Sequence, residues 1–321
     1  MTPDTVAPPL LVLGVRRSGT TLLRVMLDRH SALAVPDESY FVPQLAHRHG
    51  RTVDAAAFLD DLRRIPRLRD WGLSPGDVAP RIRSAMPTGE AIAAIFEAYA
   101  AAQGKPRWGD KTPLYMQYLP LLERLFPQAR YVHLIRDGRD AALSHLTVAK
   151  GIMTEGWGHP SDVAGFACLW RAEVIAAREL GRRVGDLRYL ELRYEDLVAA
   201  PDEELRRVCA FAALAYEPEM LEYAGTLDLS GKPHQQRLAQ RPTPGVRDWR
   251  TEMESADVRG FEQVAGDLLR ELGYDAGSAG AGTTLGARAR RGSYGVLNAA
   301  WRAASYLTQR SPLWRRRHPP L

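Results

Sequence analysis

Cysteine is nearly absent: Cys168 and Cys209 are the only two in 321 residues, with no C-x2-C pair and no Cys/His grouping. That excludes a disulfide framework and a structural zinc site, and it suits a reducing cytoplasm. Long apolar runs are missing as well, and none approaches the ~18 residues of a membrane span. The start, MTPDTVAPPLLVLGV, has no basic stretch ahead of its apolar residues and does not read as a secretion signal. Acidic residues stop at Asp275, and residues 276–321 hold eight arginines with no Asp or Glu. The net charge of +5 therefore belongs to the tail, while the rest of the chain is net negative. Such a distribution is no footprint of a nucleic-acid-binding core. One further absence is a single side chain. LGVRRSGTTL (13–22) keeps the Gly14-x4-Gly19 spacing of a nucleotide-binding P-loop, yet the lysine that should follow Gly19 is missing.

What is present is an ordinary globular composition, 45% hydrophobic and 25% charged, enough to build one large α/β domain. PLLVLGV is a continuous apolar run ending in a glycine turn, the pattern of a buried parallel strand. TTLLRVMLDRH behind it places Leu22, Leu23, Met26 and Leu27 at helical spacing. The layout repeats: YVHLI (131–135) is followed by a helical RDGRDAALSHLTVAK, and LRYLELRY (187–194) by DEELRRVCAFAALA. Strands alternating with helices predict a P-loop-like three-layer α/β sandwich, a central parallel sheet with helices on both faces. Residues 44–107 read as a largely helical insertion covering the site. Residues 230–250, polar and punctuated by Pro and Gly, read as a loop. The helix after it is expected to have Ser255 as N-cap and Gly273 just past its C-terminus. AGSAGAGTT (276–284) is a small-residue linker, so the chain divides into a domain over 1–275 and a basic extension over 276–321.

A loop between a strand and a helix N-terminus gathers unpaired N–H groups at the positive end of the helix dipole, and so binds phosphate-like anions. Gly14 and Gly19 let the backbone approach, Ser18, Thr20 and Thr21 add hydroxyls, and Arg17 offers a guanidinium fork. Arg136, at the C-terminal end of the second strand, faces the crevice where α/β sheets bind ligands, with Ser144 two helical turns on. Taken alone, Arg136 reads as the ion-pair partner of Asp137 or Asp140 before it reads as a ligand for a phosphate. A P-loop nucleoside or small-molecule kinase would need ATP, Mg²⁺, the missing lysine and a metal-binding aspartate that is not evident.

Together these stretches resemble the sulfotransferases that use 3′-phosphoadenosine 5′-phosphosulfate (PAPS). The likeness leans to the tyrosylprotein, Golgi-type and related bacterial members, and AVPDESYFVPQL, WGDKTPLY, LPLLERLFPQARYVHLIRDGRD and LRYEDLVAAP carry it, in order, over roughly residues 10–275. The resemblance implies sulfuryl transfer from PAPS to an acceptor hydroxyl, without a metal, releasing adenosine 3′,5′-bisphosphate. It assigns Arg17, Ser18, Gly19, Thr20 and Thr21 to the 5′-phosphosulfate, Arg136 and Ser144 to the 3′-phosphate, and Tyr194 to the nucleotide. Arg241 takes the place of a lysine that helps hold PAPS. Glu38 becomes the general base, with Asp37 as the fallback, and Lys111, in a turn before a helix, approaches the leaving oxygen. His133 is read as a core residue and His145 as pointing away from Ser144.

The acceptor is left open among small molecules, glycans or lipids, and tyrosine. The Ala- and Arg-rich composition is of the kind a GC-rich bacterium encodes, and a cytoplasmic location follows from the reading above. The extension places Tyr294, Leu297, Trp301 and Ala304 on one helical face. Two roles stay open for it: an amphipathic helix on an anionic membrane, or a helix packed on its own domain or on a second copy.

Overall fold

Every residue of strand β1 (Leu10–Leu13) is buried, because parallel neighbours flank both its edges and helices cover both its faces. The computed structural model describes residues 7–152, 160–224, 248–277 and 285–311. Five parallel strands, β1, β2 (Leu33–Ala34), β3 (Arg107–Lys111), β4 (Arg130–Ile135) and β5 (Tyr189–Arg193), lie in the order β2-β3-β1-β4-β5. From β1 the chain passes to the edge strand β2, returns to β3 beside β1, and then builds outward on the other side through β4 and β5. The switch point therefore falls at β1, and the crevice beyond its C-terminal end is where such sheets receive ligands.

Alternation along β1 and β4 sorts the core into two layers. Leu11, Leu13, Tyr131 and Ile135 join one apolar cluster, while Leu10, Val12, Val132 and Leu134 join the other. Helix α1 (Thr20–Asp28) closes the second cluster with Leu22, Leu23, Met26 and Leu27. The insertion is helical as expected: α2 (Val42–His49), α3 (Ala55–Leu62), α4 (Pro66–Asp70), α5 (Pro75–Val78) and α6 (Thr88–Ala102). Its aromatic centre packs Phe96 flat on Trp108 at 4.6 Å, with Phe41 and Trp71 around them. Beyond β3 follow α7 (Leu119–Leu125), α8 (Gly138–Ile152), α9 (Val163–Val184), α10 (Tyr194–Ala199), α11 (Pro201–Ala212), α12 (Trp249–Glu252), α13 (Ser255–Glu271) and α14 (Leu285–Arg310). The architecture is the three-layer sandwich that the strand and helix pattern predicts.

Several local expectations need correction. Lys111 does not lie in a turn: it ends β3, paired in register with Val12 of β1. RWGDK carries one large apolar side chain and no period-2 signal, so its strand character comes from its neighbours rather than from itself. β5 is shorter than 187–194, and Tyr194 opens α10 instead of ending the strand. The N-cap of α13 is Glu254, with Ser255 already helical, while Gly273, at φ +75°, does sit just past the end. Asp248 caps the one-turn α12, so the last part of the expected 230–250 loop is helical. The rest of that loop, with Arg241, and most of the 276–284 linker lie outside the described residues. In α14, Ala287 is buried and Tyr294 packs on the core, whereas Leu297 is 57% exposed. The inward stripe is thus rotated from the face that sequence spacing suggested, and the helix lies against α2, α9 and α13.

Candidate active site

The loop after β1 reaches α1 through two left-handed residues, Arg17 (φ 71°) and Gly19 (φ 87°). Gly19 is required twice over: its φ disfavours any side chain, and a Cβ there would collide with the ring of Tyr194. At Gly14, a Cβ would meet the Leu134 carbonyl oxygen at 2.8 Å. No side chain caps α1, which leaves the amides of its first turn facing the loop. Ser18 Oγ is fully buried without a hydrogen-bond partner, and so is Arg136 Nε. Buried donors rarely go unpaired. A glycine-lined helix N-terminus with two orphaned donors therefore fits a multiply charged anion such as the phosphate groups of PAPS.

The long-range partners converge on this loop. Arg17 Nε donates to Ser144 Oγ at 3.0 Å, and Arg136 Nη1 donates to the Arg17 carbonyl at 3.3 Å. The Arg136 guanidinium also lies 4.5 Å from the centre of the Tyr194 ring, a cation–π arrangement. Asp137 is taken by Arg139 at 2.7 Å, so Arg136 is not absorbed by that neighbour. Asp140 is pushed up to about 6 by burial, against the pull of the Arg136 charge, and accepts from the Trp249 amide at 2.8 Å. The four residues Arg17, Arg136, Ser144 and Tyr194, spread over 178 positions of sequence, thus form one wall.

Across the loop stands Glu38. Its Oε1 accepts from the Lys111 ammonium and its Oε2 from the Tyr40 hydroxyl. Burial would raise the Glu38 carboxyl, but the Lys111 charge and the hydrogen bonds from Lys111 and Tyr40 outweigh it and hold it below the ordinary carboxylate range. Lys111 is buried and is pushed down by that burial, with Glu38 opposing. Its Nζ also donates to Thr21 Oγ1 of α1 at 3.2 Å. One ammonium thus touches both the loop side and the carboxylate side. The neighbouring Asp37 pairs with Arg24 at 2.7 Å, and Glu38, not Asp37, faces Lys111.

The segment that carries Glu38 is fixed from behind. Ser39 Oγ donates to Asp110 Oδ1 at 2.8 Å and shares a 2.7 Å hydrogen bond with Tyr115 OH, while the Ser39 amide donates to Thr112 Oγ1 at 3.0 Å. Burial pushes Asp110 up to about 7 despite the Ser39 and Thr112 hydrogen bonds. None of Tyr40, Ser39, Asp110 or Tyr115 stands out in the sequence as a site residue. Tyr40 lies inside AVPDESYFVPQL, and the fold marks it by its left-handed backbone (φ 58°) and by its hydroxyl on Glu38. A second brace holds the β4–α8 turn: Arg139, fully buried, binds Asp137, Glu262 at 2.8 Å and the Asp275 carbonyl at 2.5 Å, and stacks 3.6 Å from Trp249.

The two histidines behave as read. His133 is buried, shares a 2.6 Å hydrogen bond with Tyr189 OH and is pushed down to about 3 by burial, so it is a neutral core residue. His145 Nε2 meets the Pro160 carbonyl at 3.1 Å, away from the Arg17–Ser144 contact.

Comparison with known proteins bears on what this arrangement is. Residues 8–218 match the model of the sulfotransferase family. The chain is 29% identical to the nodulation protein NoeE of Sinorhizobium fredii, over 86% of its own length and 68% of that protein's. It is 26% identical to protein-tyrosine sulfotransferase A of Caenorhabditis elegans, over 84% and 68%. Among solved structures, the sulfotransferase domain of the Synechococcus PCC 7002 olefin synthase superposes with a TM-score of 0.60 at 25% identity, covering 86% of this chain and 99% of that one. The sulfotransferase domain of the curacin pathway shares the fold, with a TM-score of 0.54 at 21% identity over 84% and 99%. A match across two thirds of the chain, ending beyond the loop, Glu38, Lys111, Arg136, Ser144 and Tyr194, places this protein in the sulfotransferase family.

Proposed function

We propose that the cradle holds PAPS and that Glu38 takes the proton of an acceptor hydroxyl as that oxygen attacks sulfur. The observation that carries this reading is the double contact of Lys111. The loop suited to the donor and the carboxylate suited to the acceptor meet on one buried ammonium. When bound, PAPS supplies a sulfuryl group already activated as a mixed anhydride. Arg17, Ser18, Gly19, Thr20 and Thr21 hold its 5′ end, and Arg136 and Ser144 take the 3′-phosphate. Tyr194 stands beside the nucleotide, with Arg241 as a further ligand. Lys111 offsets the charge that builds on the leaving oxygen, and Arg17 that on the sulfuryl oxygens. The sulfuryl group ends on the acceptor oxygen, the proton on Glu38, and adenosine 3′,5′-bisphosphate leaves.

Two features support the choice of Glu38. A base must be ionised to accept a proton, and Lys111 and Tyr40 keep it so near neutrality. It is also partly open, 24% exposed, whereas Lys111 beside it is closed to solvent. With arginines and Lys111 supplying the positive charge, the reading calls for no metal. The acceptor class is a hydroxyl compound: a small molecule, a glycan or lipid, or a tyrosine. The test is transfer of label from PAPS to a panel of phenolic, glycolipid and peptide acceptors, with EDTA present. Turnover in the wild type and its loss in Glu38→Gln, with donor binding retained, is the expected result. Full activity in that variant would remove Glu38 from the role of base.

A further inference from the structure

Helix α14 carries an apolar stripe that is left exposed among the described residues. Residues 285, 289, 292, 296, 300, 303 and 307 fall within about 80° of one another at 100° per residue. They are Leu, Ala, Gly, Val, Ala, Ala and Leu, and all are exposed, with Leu285 at 83%, Val296 at 70% and Leu307 at 66%. The opposite side is the packed one. Ala287 is buried, Tyr294 packs on the core, and Arg291 donates to the Val264 carbonyl and pairs with Asp267 at 3.3 Å. A ring contact, His47 to Tyr306 at 5.1 Å, holds the distal half of the helix against α2. The stripe is therefore displayed by a helix whose other face is already anchored.

We propose that this face lies on an anionic lipid surface. Charge decides the occupant. Arg288 and Arg290 are exposed on the two flanks of the stripe, and residues 276–321 carry eight arginines with no carboxylate. Two copies joined through the stripe would bring two such arginine-rich segments face to face. An anionic leaflet attracts the arginines and at the same time takes up Leu285, Val296 and Leu307. No helix among the described residues is long and apolar enough to cross a membrane, so the contact is one of lying on the surface. The inference is independent of the donor and acceptor assigned above.

The experiment is co-sedimentation of the full chain with vesicles of phosphatidylcholine alone or with about one third phosphatidylglycerol. Binding should require the anionic lipid, weaken as salt is raised, and drop by about tenfold in V296E/L307E and in R288E/R290E. The substituted positions are exposed, and an unchanged Tm in each variant separates lost binding from lost fold. Failure of the wild type to sediment with anionic vesicles would overturn the proposal, as would V296E/L307E binding as well as wild type. A concentration-dependent dimer abolished by V296E/L307E would give the face to a second copy, and that too overturns it.

Discussion

At the scale of single residues, the pair formed by Lys111 and Glu38 makes a prediction of definite sign. Burial raises the Glu38 carboxyl and Lys111 is the main force against it. In Lys111→Ala only the Tyr40 hydrogen bond still opposes burial, so the acidic limb of kcat/KM should move to higher pH while kcat falls by about 10²–10³-fold. A pH–rate profile of the residual activity checks both, and an unmoved limb would mean that Lys111 does not govern the ionisation of the base. Arg136 offers a second test. Its guanidinium touches Arg17 and Tyr194 and leaves Nε buried and unpaired. Arg136→Ala should weaken adenosine 3′,5′-bisphosphate by roughly tenfold to a hundredfold, the scale of one or two hydrogen bonds to a charged group, and Ser144→Ala by less. Calorimetric titration of each variant reads these losses directly.

Among the secondary-structure elements, the strand–loop–helix unit at 10–28 was legible because β1 is apolar throughout and α1 has a helical stripe. β3 was not, since three of its five residues, Arg107, Asp110 and Lys111, are charged and four of the five are buried all the same. Their burial rests on partners far away in sequence, Ser39 for Asp110 and Glu38 for Lys111, which no local period announces. For the same reason the motif residues Arg17, Glu38, Lys111, Arg136 and Ser144 could be named from the sequence, but not the Ser39–Asp110–Tyr115 support behind them. The loop geometry yields a prediction at this scale. Gly19→Ala places a methyl group against the Tyr194 ring at a φ that alanine resists, so nucleotide affinity should collapse. The brace of the β4–α8 turn gives another. Arg139→Met leaves Asp137 and Glu262 buried without their partner and should cost about 3–5 kcal/mol, read as a fall in the denaturation midpoint.

For the whole molecule, two apolar clusters sandwich one sheet, and the polar groups trapped beside them set the pH dependence of stability. Burial pushes both Asp110 and Glu173 up to about 7. A carboxyl raised in the folded state favours folding most while it is protonated. That contribution is complete below the ordinary carboxylate range and is lost as the pH climbs through 7. Tm should therefore fall between about pH 4 and pH 7, and D110N together with E173Q should flatten the fall. His133 acts in the opposite sense and lower down, because it is held neutral and its contribution is lost as pH drops from 6.5 toward 3.

The central claim joins one nucleotide cradle to one carboxylate base, and calorimetric titration with adenosine 3′,5′-bisphosphate tests it most directly. Wild type and Glu38→Gln should bind it alike, Arg136→Ala at least tenfold more weakly, and ATP with Mg²⁺ should scarcely bind at all. Absence of binding to the wild type, or a preference for ATP with Mg²⁺, would contradict the account.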